Sequence, residues 1–174
     1  MVILYDYTFS HSLGGGLANL FAFKAAQLKA KKDESVKFLP EKITALTFAS
    51  PIVGNDDYNK EFQYFEKKGN LRHIRVSNEG DVIPTNDVFP PASFAIKGNT
   101  KLYTQNGVNL LLYPDKEVEV GYRATKPTWS QFGTSILTNH KLTEYIKRVE
   151  LPANKKVYQQ TVEELYSAAG DFTD

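Results

Sequence analysis

A chain of 174 residues is long enough for one compact domain, and its 41% hydrophobic and 13% aromatic residues are typical of a globular protein. Its 21 basic and 20 acidic residues leave a net charge of +1, which disfavours a nucleic-acid partner, and the lack of cysteine excludes disulfides, zinc-thiolate sites and a cysteine nucleophile. No segment approaches the length of a membrane span, and three scattered histidines are too few for a convincing metal site.

The first predicted elements are a strand, a tight turn and a helix. Residues 2–9, VILYDYTF, are rich in β-branched and aromatic types and lead into the segment SHSLG at 10–14. Two further glycines follow, and from residue 15 to about residue 32 the apolar residues recur at helical spacing. Lysines collect near the end of this helix, where they suit the helix dipole.

Two more strands with a helix between them are predicted next. Residues 43–49, ITALTFA, form the second strand, and residues 71–77 form the third. Asn55 or Asp56 can cap the intervening helix over about 57–68. Because strands alternate with helices, we expect right-handed crossovers and a parallel sheet.

The second half of the chain has a less regular pattern. Prolines at 84, 90 and 91 exclude regular structure from the loop that follows Ser77. Further predicted elements are short strands around 93–97, 101–105, 108–113 and 117–122 and helices over about 137–149 and 157–169. No repeat or linker divides the chain, so we predict a single domain over residues 1–174.

Ser12 is the candidate nucleophile. A serine hydroxyl needs a base to take its proton, and a sharp strand-to-helix turn presents it away from the backbone. Such a turn needs small residues two positions before and after the serine, and Ser10 and Gly14 fill those places. The pattern alone is common, and its alternative interpretation is an ordinary turn with a capping serine.

Only one of the three histidines fits the role of base. In this kind of fold the histidine comes last in the chain, and His140 lies after the last predicted strands, at the start of a helix. His11 adjoins Ser12, and we expect its side chain to point elsewhere and to pack behind the turn. His73 lies inside a predicted strand, which favours a place in the core or on a sheet face.

The candidate acid is Asp81. It follows the strand that ends at Ser77, at the carboxyl end of the sheet where parallel α/β folds place their sites. A buried carboxylate there would hold the imidazole tautomer and stabilise the imidazolium. Asp87 is the nearest alternative, and Asp115 is a weaker one because it lies in a turn of solvated character.

Four stretches of the chain, in the same order, resemble class 3 lipases. They are SHSLGGGLANL, TFASPIVGN, RHIRVSNEGDVIP and NHKLTEY. The second stretch has no part in the catalytic logic above, so it supports the resemblance independently. The similarity covers most of residues 2–150 and implies an α/β-hydrolase-type, mostly parallel sheet flanked by helices.

The resemblance implies a role for four residues. Ser12 is the nucleophile, Asp81 the acid and His140 the base, while the backbone amide of Leu13 is one oxyanion donor. Ser10 stands where the family usually has glycine.

A second departure concerns the start of the chain. Family members usually have a long region before the strand that leads into the nucleophile, and it supplies further strands, the second oxyanion donor and a lid. We therefore expect an N-terminally truncated domain. The strand that leads into Ser12 would then present a bare apolar edge, through which the chain could self-associate. Losing one oxyanion donor would lower turnover by roughly a hundred- to a thousandfold.

These features predict a serine ester hydrolase that cleaves lipid acyl esters through an acyl-serine intermediate, without metal or cofactor. The expected partner is a lipid or ester substrate, with no nucleic acid and no transmembrane segment. Two alternatives stay open: a non-catalytic lipase-like domain that binds lipid or a protein partner, and acyl transfer to an acceptor other than water. The lipid substrate is not specified by the sequence, and the location is cytoplasmic only by default.

Overall fold

The computed structural model describes residues 2–4, 7–84, 105–122 and 136–170. Their strands form one six-stranded sheet in the order β1-β2-β3-β4-β5-β6. The strands are β1 (Val2–Leu4), β2 (Tyr7–His11), β3 (Ile43–Phe48), β4 (Leu71–Asn78), β5 (Val108–Leu112) and β6 (Glu119–Gly121). The helices are α1 (Leu13–Ala30), α2 (Asp56–Lys67), α3 (Ile136–Asn139), α4 (Leu142–Val149) and α5 (Val162–Ala168).

The predicted α/β class is confirmed. Strands β2 to β5 pair in parallel, and β1 and β6 add antiparallel strands at the two ends. Helix α1 connects β2 to β3, and α2 connects β3 to β4, which is the alternation that the sequence predicts. The carboxyl ends of the four parallel strands therefore lie along one edge of the sheet, where such folds place their sites.

Helices cover both faces of the sheet. Side chains alternate between faces along β4, so Leu71 lies on one face while Ile74 and Val76 lie on the other. The buried cluster on the Leu71 face comprises Ala22, Phe23, Ala25, Ala26, Ile43, Ala45, Phe62, Phe65 and Leu71. The cluster on the opposite face comprises Ala49, Ile74, Val76, Val108, Leu110, Leu112, Val118, Tyr145 and Leu165. Two cores thus fix α1 and α2 on one side and α4 and α5 on the other.

The predicted first strand is divided in two. Residues 2–9 were expected to form one strand, but the backbone folds back so that β1 pairs antiparallel with β2. Strand β2, which leads into Ser12, therefore has a neighbour on each side, β1 and β3. The expected bare edge on β2 is wrong because β1 occupies its backbone groups, and β1 now forms the outer edge. The predicted self-association of the chain stays a prediction.

The helix predicted over 137–149 is interrupted at its beginning. Helix α3 ends at Asn139, Lys141 has an extended backbone with φ −66° and ψ 137°, and α4 starts at Leu142. His140 therefore lies in the short junction between the two helices. Near the C-terminus, residues 157–159 form a separate 3₁₀ turn, and Thr161 begins α5 with a capping box to Glu164.

Two predicted strands fall on residues outside the described ranges. These are 93–97 and, apart from Gln105, 101–105.

A buried carboxyl group on α2 gives a prediction about stability. Burial raises the pKa of Glu66 to about 8, against an ordinary value of 4.5, and the Tyr166 hydroxyl donates a hydrogen bond to it. Between pH 4.5 and 8 the folded protein holds a proton that the unfolded chain releases, so stability falls as pH rises through this window. Relative to Glu66→Gln, the wild type should lose up to about 1.4 kcal/mol of unfolding free energy per pH unit.

Denaturant unfolding from pH 5 to pH 8 measures that difference. Glu61→Gln, an exposed carboxylate on the same helix, is the matched control and should show the pH slope of the wild type. Equal slopes for wild type and Glu66→Gln would contradict the raised pKa.

Candidate active site

Ser12 lies at the turn between β2 and α1. Its backbone has φ 55° and ψ −130°, a conformation that residues other than glycine rarely adopt. Its N–H donates to the carbonyl of Phe48. The strain is held by the strand on one side and the helix on the other, since Gly15 N–H already bonds back to the Ser12 carbonyl. The hydroxyl is thereby presented at the carboxyl edge of the sheet.

The segment after β3 explains why glycines follow Ser12. A side chain at position 15 would place its Cβ 2.8 Å from the Cβ of Ser50, and one at position 16 would lie 2.9 Å from Val53. The stretch TFASPIVGN, which has no role in the chemistry, therefore packs directly against the first turn of α1. This close approach positions the helix that begins beside Ser12.

The structure brings together the three side chains predicted for catalysis. His140 Nε2 lies 2.8 Å from Ser12 Oγ, and His140 Nδ1 lies 3.0 Å from Asp81 Oδ2 and 3.1 Å from Oδ1. A carboxylate only accepts hydrogen bonds, so Nδ1–H donates to Asp81 and Nε2 is left to accept the Ser12 proton. The arrangement has the order of contacts that general-base activation of a serine requires.

The carboxylate of Asp81 is buried and has two further donors. Tyr145 OH donates to Oδ2 at 2.7 Å, and the Ile83 N–H donates to Oδ1 at 3.0 Å. Burial raises the pKa of Tyr145 well above its ordinary value, with Asp81 adding to the effect, so the phenol keeps the proton that it donates. These bonds offset the cost of burying the charge and fix the plane of the carboxylate.

Sequence reasoning did not find Tyr145. It lies five residues after His140 on a helix with a strong apolar face, so its pattern is that of a core aromatic. Its ring is in the core, while its hydroxyl accepts from the Asn78 N–H and donates to Asp81.

The junction that contains His140 is tied to the end of β4. Asn78 Nδ2 donates to the Asn139 carbonyl, and the buried Arg148 donates to the Asn139 side chain. Arg148 also donates to the carbonyls of Glu79 and Leu112, so it links the junction to two neighbouring strands. His140 is thus held by its neighbours on both sides as well as by Asp81.

The structure confirms the expected place of His73 and corrects that of His11. His73 is fully buried and hydrogen-bonded to Thr47, which confirms that it is a core residue. His11 was expected to point away from the site, and this is wrong in one respect: its Nε2 lies 3.0 Å from the His140 carbonyl oxygen.

The remaining predicted residues are the oxyanion donor Leu13 and the two alternative acids. Leu13 is the first residue of α1, so its N–H has no acceptor within the helix and is free to serve an oxyanion. Asp115 is exposed, as expected of a solvated turn, and Asp87 lies outside the described residues. Within the described ranges, no helix is long and apolar enough to cross a bilayer, and no three acidic or histidine side chains cluster as metal ligands do.

Comparison with known proteins bears on this geometry. Residues 6–90 match the family model for Lipase (class 3), and this range contains Ser12 and Asp81. This match and the plant relatives below support a class 3 lipase-like chain. Its recognition from four short stretches of sequence is thereby confirmed.

The lipase-like chain is similar to several plant proteins. It is 39% identical to Phospholipase A1-II 5 of Oryza sativa subsp. indica over 74 residues, which are 42% of this chain and 15% of that protein. It is 37% identical to Phospholipase A1-IIgamma of Arabidopsis thaliana over 92 residues, which are 51% of this chain and 20% of that protein. The similarity spans a fifth or less of the length of these relatives.

Two solved structures are also similar to the lipase-like chain. The lipase from Rhizopus microsporus var. chinensis has 23% identity and a TM-score of 0.48, covering 77% of this chain and 41% of that one. The Rhizomucor miehei lipase propeptide complex has 24% identity and a TM-score of 0.39, covering 61% of this chain and 28% of that one.

Proposed function

We propose that this lipase-like chain hydrolyses acyl esters of lipids through a covalent acyl-Ser12 intermediate. The observation that carries the proposal is the 2.8 Å approach of His140 Nε2 to Ser12 Oγ, with Asp81 on the far side of the same imidazole. A serine that is merely a helix cap has no need of a base aligned in this way.

The first half of the reaction forms the acyl-enzyme. Ser12 Oγ attacks the ester carbonyl carbon while its proton moves to His140 Nε2, and the charge on the carbonyl oxygen faces the Leu13 N–H. Asp81 stabilises the imidazolium that results. The tetrahedral species then breaks its bond to the alcohol oxygen, which takes the proton from His140 and departs.

Water completes the cycle. His140 accepts a proton from a water molecule, the hydroxide oxygen bonds to the acyl carbon, and the bond to Ser12 Oγ breaks as Oγ regains its proton from His140. The products are a free fatty acid and the alcohol from which it was cleaved. Another alcohol in the place of water would give acyl transfer by the same steps.

The substrate class follows from two observations. The relatives described above are named phospholipases A1, and we infer that phospholipids rather than triacylglycerols are the preferred lipids. Exposed apolar side chains follow the two reacting residues in the sequence: Leu13 is 71% exposed, Leu17 is 57% exposed, and Leu142, two residues after His140, is 49% exposed. Exposed leucines near the reacting residues suit contact with acyl chains.

The proposal is tested by incubating the purified chain with phosphatidylcholine vesicles, with emulsified triolein and with the soluble ester p-nitrophenyl butyrate. Mass spectrometry of released fatty acid and lysophospholipid should show turnover on vesicles and on the soluble ester. A folded chain without turnover on any ester would favour a non-catalytic lipid-binding domain. Added methanol, with methyl esters as the product, measures acyl transfer.

Leu17→Ser is expected to lower turnover on vesicles about tenfold, because one leucine that enters the lipid contributes on the order of 1.5 kcal/mol. The matched control is Phe38→Ser, since Phe38 is 78% exposed but lies beyond the C-terminal end of α1, which is roughly 27 Å long. Equal losses on vesicles in the two variants would contradict a lipid contact at the N-terminal end of α1.

A further inference from the structure

His11 contacts His140 through the backbone of that residue. It is the last residue of β2 and directly precedes Ser12, yet its Nε2 lies 3.0 Å from the backbone carbonyl oxygen of His140. The two imidazole rings lie 5.0 Å apart between centroids. Because a carbonyl oxygen only accepts, His11 donates through an Nε2–H, which fixes the position of its proton.

The His11 ring is itself held in place by packing. The His11 and Tyr145 rings form a T-shaped contact, with centroids 5.8 Å apart and an interplanar angle of 82°. Tyr145 in turn is buried and donates to Asp81. His11 therefore links β2, which leads into Ser12, to α4, whose Tyr145 donates to Asp81.

The hydrogen bond from His11 to the His140 carbonyl differs from the bond between Ser12 and His140 in one respect that matters during turnover. When Ser12 is acylated, Oγ is an ester oxygen and has no proton to donate to His140. The tie between Ser12 and His140 is then weakened at the stage when His140 must activate water. The bond from His11 to the His140 carbonyl does not depend on the Ser12 hydroxyl and is present throughout.

The charge of His11 is compatible with this role. The groups that face it are His140, Asp81 and Tyr145. Burial lowers the pKa of His11 and outweighs the hydrogen bond to the His140 carbonyl, which acts in the opposite direction. This direction favours a neutral ring, whose centroid lies 5.0 Å from that of His140. A second positive charge beside His140 would oppose proton transfer from Ser12.

We propose that His11 is a positioning residue that holds the His140 imidazole at the reacting centre, above all in the acyl-enzyme, where the Ser12 hydroxyl no longer does so. The inference rests on the proposed hydrolase function. It predicts that loss of the His11 donor slows deacylation more than acylation.

Two variants separate the donor from the ring. His11→Phe keeps an aromatic ring against Tyr145 and removes the N–H, whereas His11→Gln removes the ring and offers an amide N–H at similar reach. In stopped-flow assays with p-nitrophenyl butyrate, His11→Phe should slow deacylation about tenfold and acylation by less than about threefold. A burst of p-nitrophenol should therefore grow, with kcat and KM falling together, and His11→Gln should restore kcat to within about threefold of wild type.

Several outcomes would overturn the proposal. Equal slowing of both steps in His11→Phe, wild-type kinetics in that variant, or failure of His11→Gln to restore kcat would each do so. If the wild type turns over and only these results fail, the hydrolase function stands and the role of His11 falls. A folded wild type without turnover or burst overturns both.

A measurement on the wild type does not depend on how the variants fold. Long-range proton–nitrogen NMR correlations report which ring nitrogen of each histidine carries the proton. The proposal requires Nε2–H for His11 and Nδ1–H for His140 at neutral pH. An Nδ1–H tautomer at His11 would overturn it.

Discussion

Replacing Ser12 by alanine is expected to lower kcat for ester hydrolysis by about four orders of magnitude or more, with little change in KM. The hydroxyl is the atom that bonds to the acyl carbon, and its loss leaves the imidazole, the carboxylate and the Leu13 amide without a nucleophile to assist. Steady-state assays on p-nitrophenyl butyrate measure the effect. Because alanine also has a Cβ, the strained backbone at φ 55° is retained and the variant should fold.

The control for that variant is Ser10→Gly, which restores the residue usual in class 3 lipases two positions before the nucleophile. Its turnover is expected to stay within about threefold of wild type, since the Ser10 side chain has no part in the proposed proton transfer. If Ser12→Ala retained most of the activity while Ser10→Gly abolished it, the assignment of the nucleophile would be wrong.

Asp81→Asn is expected to lower kcat by about three to four orders of magnitude while the protein stays folded. The asparagine oxygen can still accept from Tyr145 or Ile83, so the buried site keeps most of its hydrogen bonds. What changes is the imidazole: an amide N–H facing Nδ1 favours the tautomer with the proton on Nε2, which cannot accept from Ser12. The loss should therefore appear in kcat.

Asp115→Asn is the matched control for Asp81→Asn, because it makes the same chemical change in an exposed turn. It should leave kcat and thermal stability near wild type. Equal activity of the Asp81 and Asp115 variants would show that the acid lies elsewhere, and Asp87 would be the residue to replace next.

The sequence was informative wherever the signal is local. The order of β2, α1, β3, α2 and β4 follows from hydrophobic spacing, and the position of Ser12 follows from the small residues around it. Asp81 and His140 were found because chain order in this kind of fold limits the choice to few residues. The structure places them in contact across 59 positions of sequence.

What the sequence could not predict depends on long-range packing. The antiparallel return of β1 onto β2 and the break between α3 and α4 involve segments whose composition suits the simpler prediction equally well. Tyr145 and Arg148 have the pattern of an amphipathic helix, and nothing in that pattern distinguishes a side chain that supports Asp81 from one that fills the core. His11 was assigned to packing because it adjoins Ser12 in a tight turn. No local pattern reveals its bond to a backbone carbonyl 129 positions away.

The packing of TFASPIVGN against Gly15 and Gly16 accounts for a stretch that chemistry alone does not explain. Any larger residue at position 15 would push Ser50 and the helix apart and so move the first turn of α1. The Leu13 amide and the Ser12 hydroxyl both depend on that turn. The resemblance to class 3 lipases in this stretch thus has a structural cause.

Catalysis by this chain requires that an imidazole 2.8 Å away takes the proton of Ser12, and a fluorophosphonate probe tests this directly. Peptide mass spectrometry of the treated wild-type protein should find one covalent adduct, on Ser12, with labelling strongly slowed in His140→Ala. An unlabelled Ser12 in a folded protein, or labelling that proceeds at the same rate without His140, would contradict it.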